Sequence, residues 1–163
     1  MERPLRWFSI FRIFQISATA LRETGETVNP MIDPRLRNEH ILTTAEEPGI
    51  GIVLLDVVLG HGSHPDPAEA LAPAIADAMA LAISAGRHLL VIASVCGTDL
   101  DPQGLTRQER ILAQTGVMLE SSNARAAMLA ASIVAVATIT AADSPPDLTA
   151  TLVPPPLIVS AAD

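Results

Sequence analysis

The residues with the greatest chemical capacity lie in one short stretch, Gly60-His61-Gly62-Ser63-His64-Pro65-Asp66. Two imidazoles three positions apart, with a carboxylate close behind and glycines freeing the backbone, can hold an anion, move a proton or supply part of a metal site. The same spacing suits histidines that bond backbone carbonyls or sit in solvent, and no further ligand set completes a metal site, so no metal is expected. Asp56 lies inside the apolar run Gly51-Ile52-Val53-Leu54-Leu55-Asp56-Val57-Val58-Leu59. An unpaired buried carboxylate is costly, so Asp56 requires a partner: it is either structural, bonded to loop amides or an arginine, or part of a site, where it joins His61 and His64 as a candidate catalytic group. A second cluster, Cys96-Gly97-Thr98-Asp99, places a thiol just before a helix start, where the helix field can activate it; a small buried hydrophobe at a strand end is the competing role. A third is Ser121-Ser122-Asn123. Gly60, Gly62, Ser63, Cys96, Gly97, Thr98, Asp99, Ser122 and Asn123 are therefore the candidate ligand-binding residues. Gly60-His61-Gly62 lacks the third glycine of a dinucleotide fingerprint and the lysine of a phosphate-binding P-loop, and no nucleophile elbow is present.

These clusters need elements to position them. An apolar run without alternation reads as a strand covered on both faces, and Asp66-Pro67 then opens a long alanine-rich helix. The pattern repeats: strand 50–59, helix 67–85, strand 88–95, helix 102–115, strand 117–120, helix 122–137. Upstream, Asp33 can cap a short helix that Pro34 enters in its first turn and that Pro48-Gly49 stops. Gly86 and Gly116 fall just past helix ends, where a left-handed cap is wanted. Strands alternating with helices of this length imply right-handed crossovers and a parallel sheet. The three loops then converge at the carboxyl edge of the sheet, where ligands bind in such folds. Asp66, Asp101 and Ser122 are placed to cap the helices that follow, in competition with any phosphate for the same amides. The expectation is an α/β, flavodoxin-like three-layer domain with a short parallel sheet, incomplete at one edge unless a strand lies before residue 30.

Composition narrows the function classes. At 163 residues and 49% hydrophobic content the chain can build one real core. All ten basic residues are arginine and the net charge is −8, which disfavours nucleic acid and anionic membranes as partners. One cysteine permits no intrachain disulfide, so a cytoplasmic setting is the default. No uninterrupted apolar run has the length of a membrane span, because Arg12 breaks the best candidate near the amino terminus. Residues 1–27 differ from the rest, holding the four aromatic side chains Trp7, Phe8, Phe11 and Phe14 together with Arg3, Arg6, Arg12 and Arg22. Two readings fit this segment: a targeting sequence, or an amphipathic helix with Trp7, Phe11, Phe14 and Ala18 on one stripe. Residues 28–142 carry the repeated pattern, and the proline clusters of 143–163 predict an extended or disordered tail.

Asn29-Pro30-Met31-Ile32-Asp33-Pro34-Arg35-Leu36-Arg37-Asn38, then Leu54 to Pro67, then Ala93-Ser94-Val95-Cys96-Gly97-Thr98-Asp99 with Asp101-Pro102-Gln103-Gly104 and Arg107-Gln108, resemble the carboxyl-terminal half of the FdrA family. Those proteins are similar to the α subunit of succinyl-CoA synthetase, and the match covers residues 28–132, with Asn29 where family members read histidine. The resemblance implies a CoA-ligase domain of an acyl-CoA synthetase, with a small acyl substrate; a subunit role in an oxamate carbamoyltransferase of purine breakdown, with a carbamoyl substrate, is the alternative, and a non-catalytic interaction module is the competing class. It also implies a Rossmann half that holds CoA, which residues 1–27 do not resemble. The expectation is therefore a piece of a longer or split protein, inactive alone, that binds no cofactor by itself and needs a CoA-binding domain or partner subunits, CoA and nucleotide belonging to the complete assembly. In the synthetase a loop of this domain carries a transiently phosphorylated histidine. The corresponding loop here, residues 96–110, has none, so that step is not carried over.

Overall fold

Isoleucine, valine and leucine fill residues 50–59 because that strand lies at the centre of a sheet with both faces covered. The computed structural model describes residues 12–16 and 33–142. Along the chain these form β1 (Arg12–Ile16), α1 (Arg35–Glu46), β2 (Ile50–Val58), α2 (Pro67–Ser84), β3 (Leu90–Cys96), α3 (Leu105–Gln114), β4 (Met118–Glu120) and α4 (Asn123–Ala142). The strands form one open sheet in the order β1-β2-β3-β4, and every neighbouring pair is parallel.

That order decides the layering. Right-handed crossovers that always step the same way place their helices on the same face. Accordingly, Ile41 and Ala45 of α1, Leu71, Ile75, Ala78 and Ala82 of α2 and Leu112 of α3 share one core with Val53, Leu55, Val57, Val91 and Ala93. The alternate residues Ile52, Leu54 and Ile92 point to the other face, where Ala126 and Ala130 of α4 cover them. The result is three layers, as a flavodoxin-like domain requires, with three helices on one side and one on the other. Helix α2 has the length and hydropathy of a membrane span by composition, but it also carries Glu69 and Asp77, and its apolar stripe is spent on the core.

Gly86 and Gly116 take left-handed φ of 72° and 94°. The following amides turn back into the helices, Arg87 N to Ala82 O and Val117 N to Leu112 O, which satisfies carbonyls at the ends of α2 and α3 as such caps do.

Two expectations change. Arg12–Ile16 is a strand, not part of an amphipathic helix, and it pairs with β2 from within the segment read as lying outside the domain. The physical reason is that β2 is buried on both faces and its open edge offers unpaired amides and carbonyls, which an isoleucine- and phenylalanine-rich pentapeptide satisfies better as a strand. The edge beside β2 is thereby filled. Helix α3 begins at Leu105 rather than 102, because Asp101, Pro102 and Gln103 make a turn that ends at Gly104, with φ 69°. The rest of residues 1–32 and the proline-rich 143–163 lie outside the described residues.

Candidate functional site at the carboxyl edge of the sheet

Parallel pairing brings the loops after β2 and β3 side by side, and one glutamine locks them together. Gln103 is buried, with 5% of its surface exposed. Its amide nitrogen donates to Gly60 O (2.9 Å) and His64 O (3.1 Å), while its oxygen accepts from Gly60 N (3.1 Å). Leu59 N adds a bond to Cys96 O at 2.9 Å. The approach is so close that a Cβ on Gly97 would lie 2.7 Å from Leu59 Cβ.

A second glutamine performs the cap expected of Asp66. Gln108 is fully buried; its oxygen accepts from Ala68 N in the first turn of α2 (2.9 Å), and its nitrogen donates to Asp66 Oδ1 (3.0 Å). Arg107 takes the other Asp66 oxygen at 2.6 Å. The Arg107 hydrogen bond, aided by Gln108 and against the opposing effect of burial, holds the Asp66 carboxyl below the usual range. Asp66 ties α2 to α3 through these two bonds and makes no cap hydrogen bond of normal geometry, although the Glu69 amide in the first turn of α2 also helps to hold its carboxyl low.

Asp101 also departs from its expected role. It accepts from Thr98 N (2.6 Å) and Thr98 Oγ1 (3.2 Å), closing the loop on itself. Asp99 caps α3 instead, accepting from Thr106 N and Oγ1, both at 2.7 Å. Those two bonds keep its carboxyl below the usual range. Ser122 does cap α4, through Arg125 N at 3.3 Å.

The candidate residues thus separate. His61 and Gly62 are exposed at the loop tip, Gly60, Ser63 and His64 are half-buried, and the Cys96 side chain is exposed at the end of β3. His64 Nδ1 accepts from Asp66 N at 3.0 Å, so in the neutral ring the proton sits on Nε2. Gly97 is half-buried, and Thr98 and Asp99 are exposed but engaged in the loop's own bonds. Ser122 and Asn123 are exposed one strand further along, and the bond of Ser122 stays within its own helix. Among the described residues no three His, Cys, Asp or Glu side chains converge as metal ligands would.

Asp56 is half-buried rather than buried, and the hydrogen bond nearest it is made by its backbone, not its carboxylate. Arg37 of α1, 3% exposed, donates from Nη2 to the Asp56 carbonyl at 2.5 Å and lies within electrostatic reach of its carboxylate. Burial pushes the Arg37 pKa down, and the Asp56 charge opposes that shift. At the mouth of α1 the Asp33 carboxyl is lowered to about 2 by its hydrogen bonds with Arg35, with a lesser contribution from nearby His64. The sequence alone does not mark Arg37, Gln103, Arg107 and Gln108 as residues of this site. For Gln108 a signal existed: Leu105, Gln108 and Leu112 share the 3-and-4 spacing of one helix stripe, so a polar side chain was directed into the core and had to be bonded there.

An open parallel sheet with helices on both faces places the chain in the α/β, flavodoxin-like class. The profile of the CoA-ligase family matches residues 18–133, and the chain belongs to that family. It is also 39% identical over 107 residues to the uncharacterized protein YahF of Escherichia coli (strain K12). That alignment covers 66% of this chain and 21% of YahF, so the chain spans about a fifth of the length of this relative.

Proposed function

We propose that this chain is the FdrA-type CoA-ligase domain of an acyl-CoA synthetase, contributing the loop platform against which a small acyl substrate is held while CoA and nucleotide are bound by a further domain or subunit. The observation that carries the reading is the family match over residues 18–133 in a chain that corresponds to 21% of a longer relative. The geometry supports a specific division of labour. The first-turn amides Ala68 N and Thr106 N are already bonded to Gln108 and Asp99, so a substrate carboxylate or acyl phosphate meets the histidines rather than those amides. His64 then acts as an N–H donor from Nε2, oriented by the Asp66 amide, and His61 supplies a second imidazole at the same rim. Asp56, fixed through Arg37, holds the end of β2 from which this loop departs.

The domain by itself performs no ligation in this account. Incubation of the purified chain with γ-labelled ATP, or with succinyl phosphate and CoA, is expected to give neither acid-labile phosphohistidine nor succinyl-CoA. A stoichiometric phosphohistidine signal, or turnover by the chain alone, would contradict the proposal.

A further inference from the structure

Helices α1 and α2 pack along most of their length, yet their outer faces part toward their carboxyl ends. There the described residues Leu42, Asp77, Ala80, Leu81 and Ser84 line an open groove of about 490 Å³. Leu81 is 43% exposed, an uncovered apolar wall, and Asp77 puts a carboxylate beside it. The groove lies at a definite end of the fold. Both helices run against the strands and finish at the amino edge of the sheet, α1 at Glu46 just before Ile50 and α2 at Ser84 before Leu90. β1 starts at the same edge, since it runs parallel to β2 with Arg12 opposite Ile50.

The described part of β1 therefore begins at the edge of the sheet toward which the groove opens. The sequence before Arg12 is Leu5-Arg6-Trp7-Phe8-Ser9-Ile10-Phe11, which contains three of the chain's four aromatic residues. Five residues reach at most about 18 Å, enough to carry position 7 from Arg12 across one helix layer of about 10 Å. Arg3 and Arg6 are opposite in charge to Asp77, the carboxylate that lines the groove.

We propose that this groove is the docking site of the chain's own amino-terminal segment, residues 1–11, with Trp7 against Leu42 and Leu81 and Arg6 paired to Asp77. A tryptophan buries more apolar surface than any aliphatic neighbour, and Leu81 has that surface to offer. The docked segment clamps α1 to α2 from outside and completes the helical face that the described residues leave open.

The chain's one tryptophan is its own reporter. In the full chain, Trp7 emission is expected to be blue-shifted and poorly quenched by acrylamide, independent of protein concentration. Leu81→Asp, at a half-exposed site where folding is unaffected by far-UV circular dichroism, is expected to shift the emission red and raise the quenching constant at least threefold. Arg6→Asp should do the same more weakly, and Arg6→Asp with Asp77→Arg should restore the shielding. Solvent-like Trp7 emission in the unmodified chain overturns the proposal, as does shielding that survives Leu81→Asp. Shielding lost on dilution overturns it too, because it would assign the contact to a second copy of the chain.

Discussion

Gln108 shows how one side chain can determine the state of a site it does not enter. Its amide caps α2, restrains Asp66 and reaches Gln103 O at 3.3 Å, all from a fully buried position. Gln108→Ala strands the Ala68 amide and opens a void, so a loss of about 2–4 kcal/mol is expected in urea unfolding. Gln114→Ala, exposed on the last turn of α3, should change stability by less than about 0.5 kcal/mol. The acid limb of stability belongs to this scale as well. Asp33, Asp66 and Asp99 all have carboxyls lowered in the folded state from an ordinary 3.8, Asp33 to about 2. A depressed folded pKa stabilises above the unfolded value and loses that stabilisation as pH falls through the folded one. Stability should therefore decline between about pH 4 and pH 2, and replacing the three aspartates by asparagine should flatten that decline. An equally steep decline in the triple variant would show that other groups carry it. That a carboxylate inside the apolar run of β2 needs an opposite charge nearby was legible in the sequence; that Arg37, 19 positions away, lies within electrostatic reach of it was not, and neither was the bond that Arg37 makes to the Asp56 carbonyl.

At the scale of elements, the strands and helices from residue 35 onward follow from apolar runs, glycine caps and proline placement, and their ends fall within three residues of where these signals put them, except that α4 runs five residues further, to Ala142. Strand β1 carries the opposite lesson. Its five residues suit a helix stripe as well as a strand, and only the open edge of β2, a tertiary fact, decides between them. The loops were legible as to their location but not their internal bonding, because Asp66, Asp99 and Asp101 all stand near helix starts and the distances among them depend on how tightly β2 and β3 bring the loops together. Gly97 measures that tightness. Gly97→Ala places a methyl against the fixed Cβ of Leu59 and is expected to cost about 1–3 kcal/mol. Gly62→Ala, with open space around it, should be nearly neutral. Comparable melting temperatures for the two variants would mean that the β2 and β3 loops are not in close contact in solution.

At the scale of the molecule, the monotonic strand order leaves the sheet asymmetric, with α1, α2 and α3 on one face and α4 alone on the other. The fully buried contacts of α4 with Ile52, Leu54 and Ile92 are made by the small residues Ala126 and Ala130, with Leu129, Ile133 and Val134 packed around them. Ala130→Leu should overpack that layer at about 1–3 kcal/mol, a cost readable in thermal unfolding. The same asymmetry sends the chain after β3 and β4 to opposite faces, whereas the loops after β2 and β3, which carry the candidate site, lead to helices on one face. Family membership and the match to about a fifth of a longer relative are the grounds of the proposal that this domain works as one part of a larger synthetase. The most direct test is to supply the portion of YahF outside the matched 107 residues to this chain and follow ADP release with CoA and a panel of short carboxylic acids. The account predicts turnover only for the combination, reduced at least tenfold, about 1.4 kcal/mol of transition-state stabilisation, by His64→Ala and unchanged by Gln114→Ala. Full activity with His64→Ala, or activity of the chain without the added portion, would contradict it.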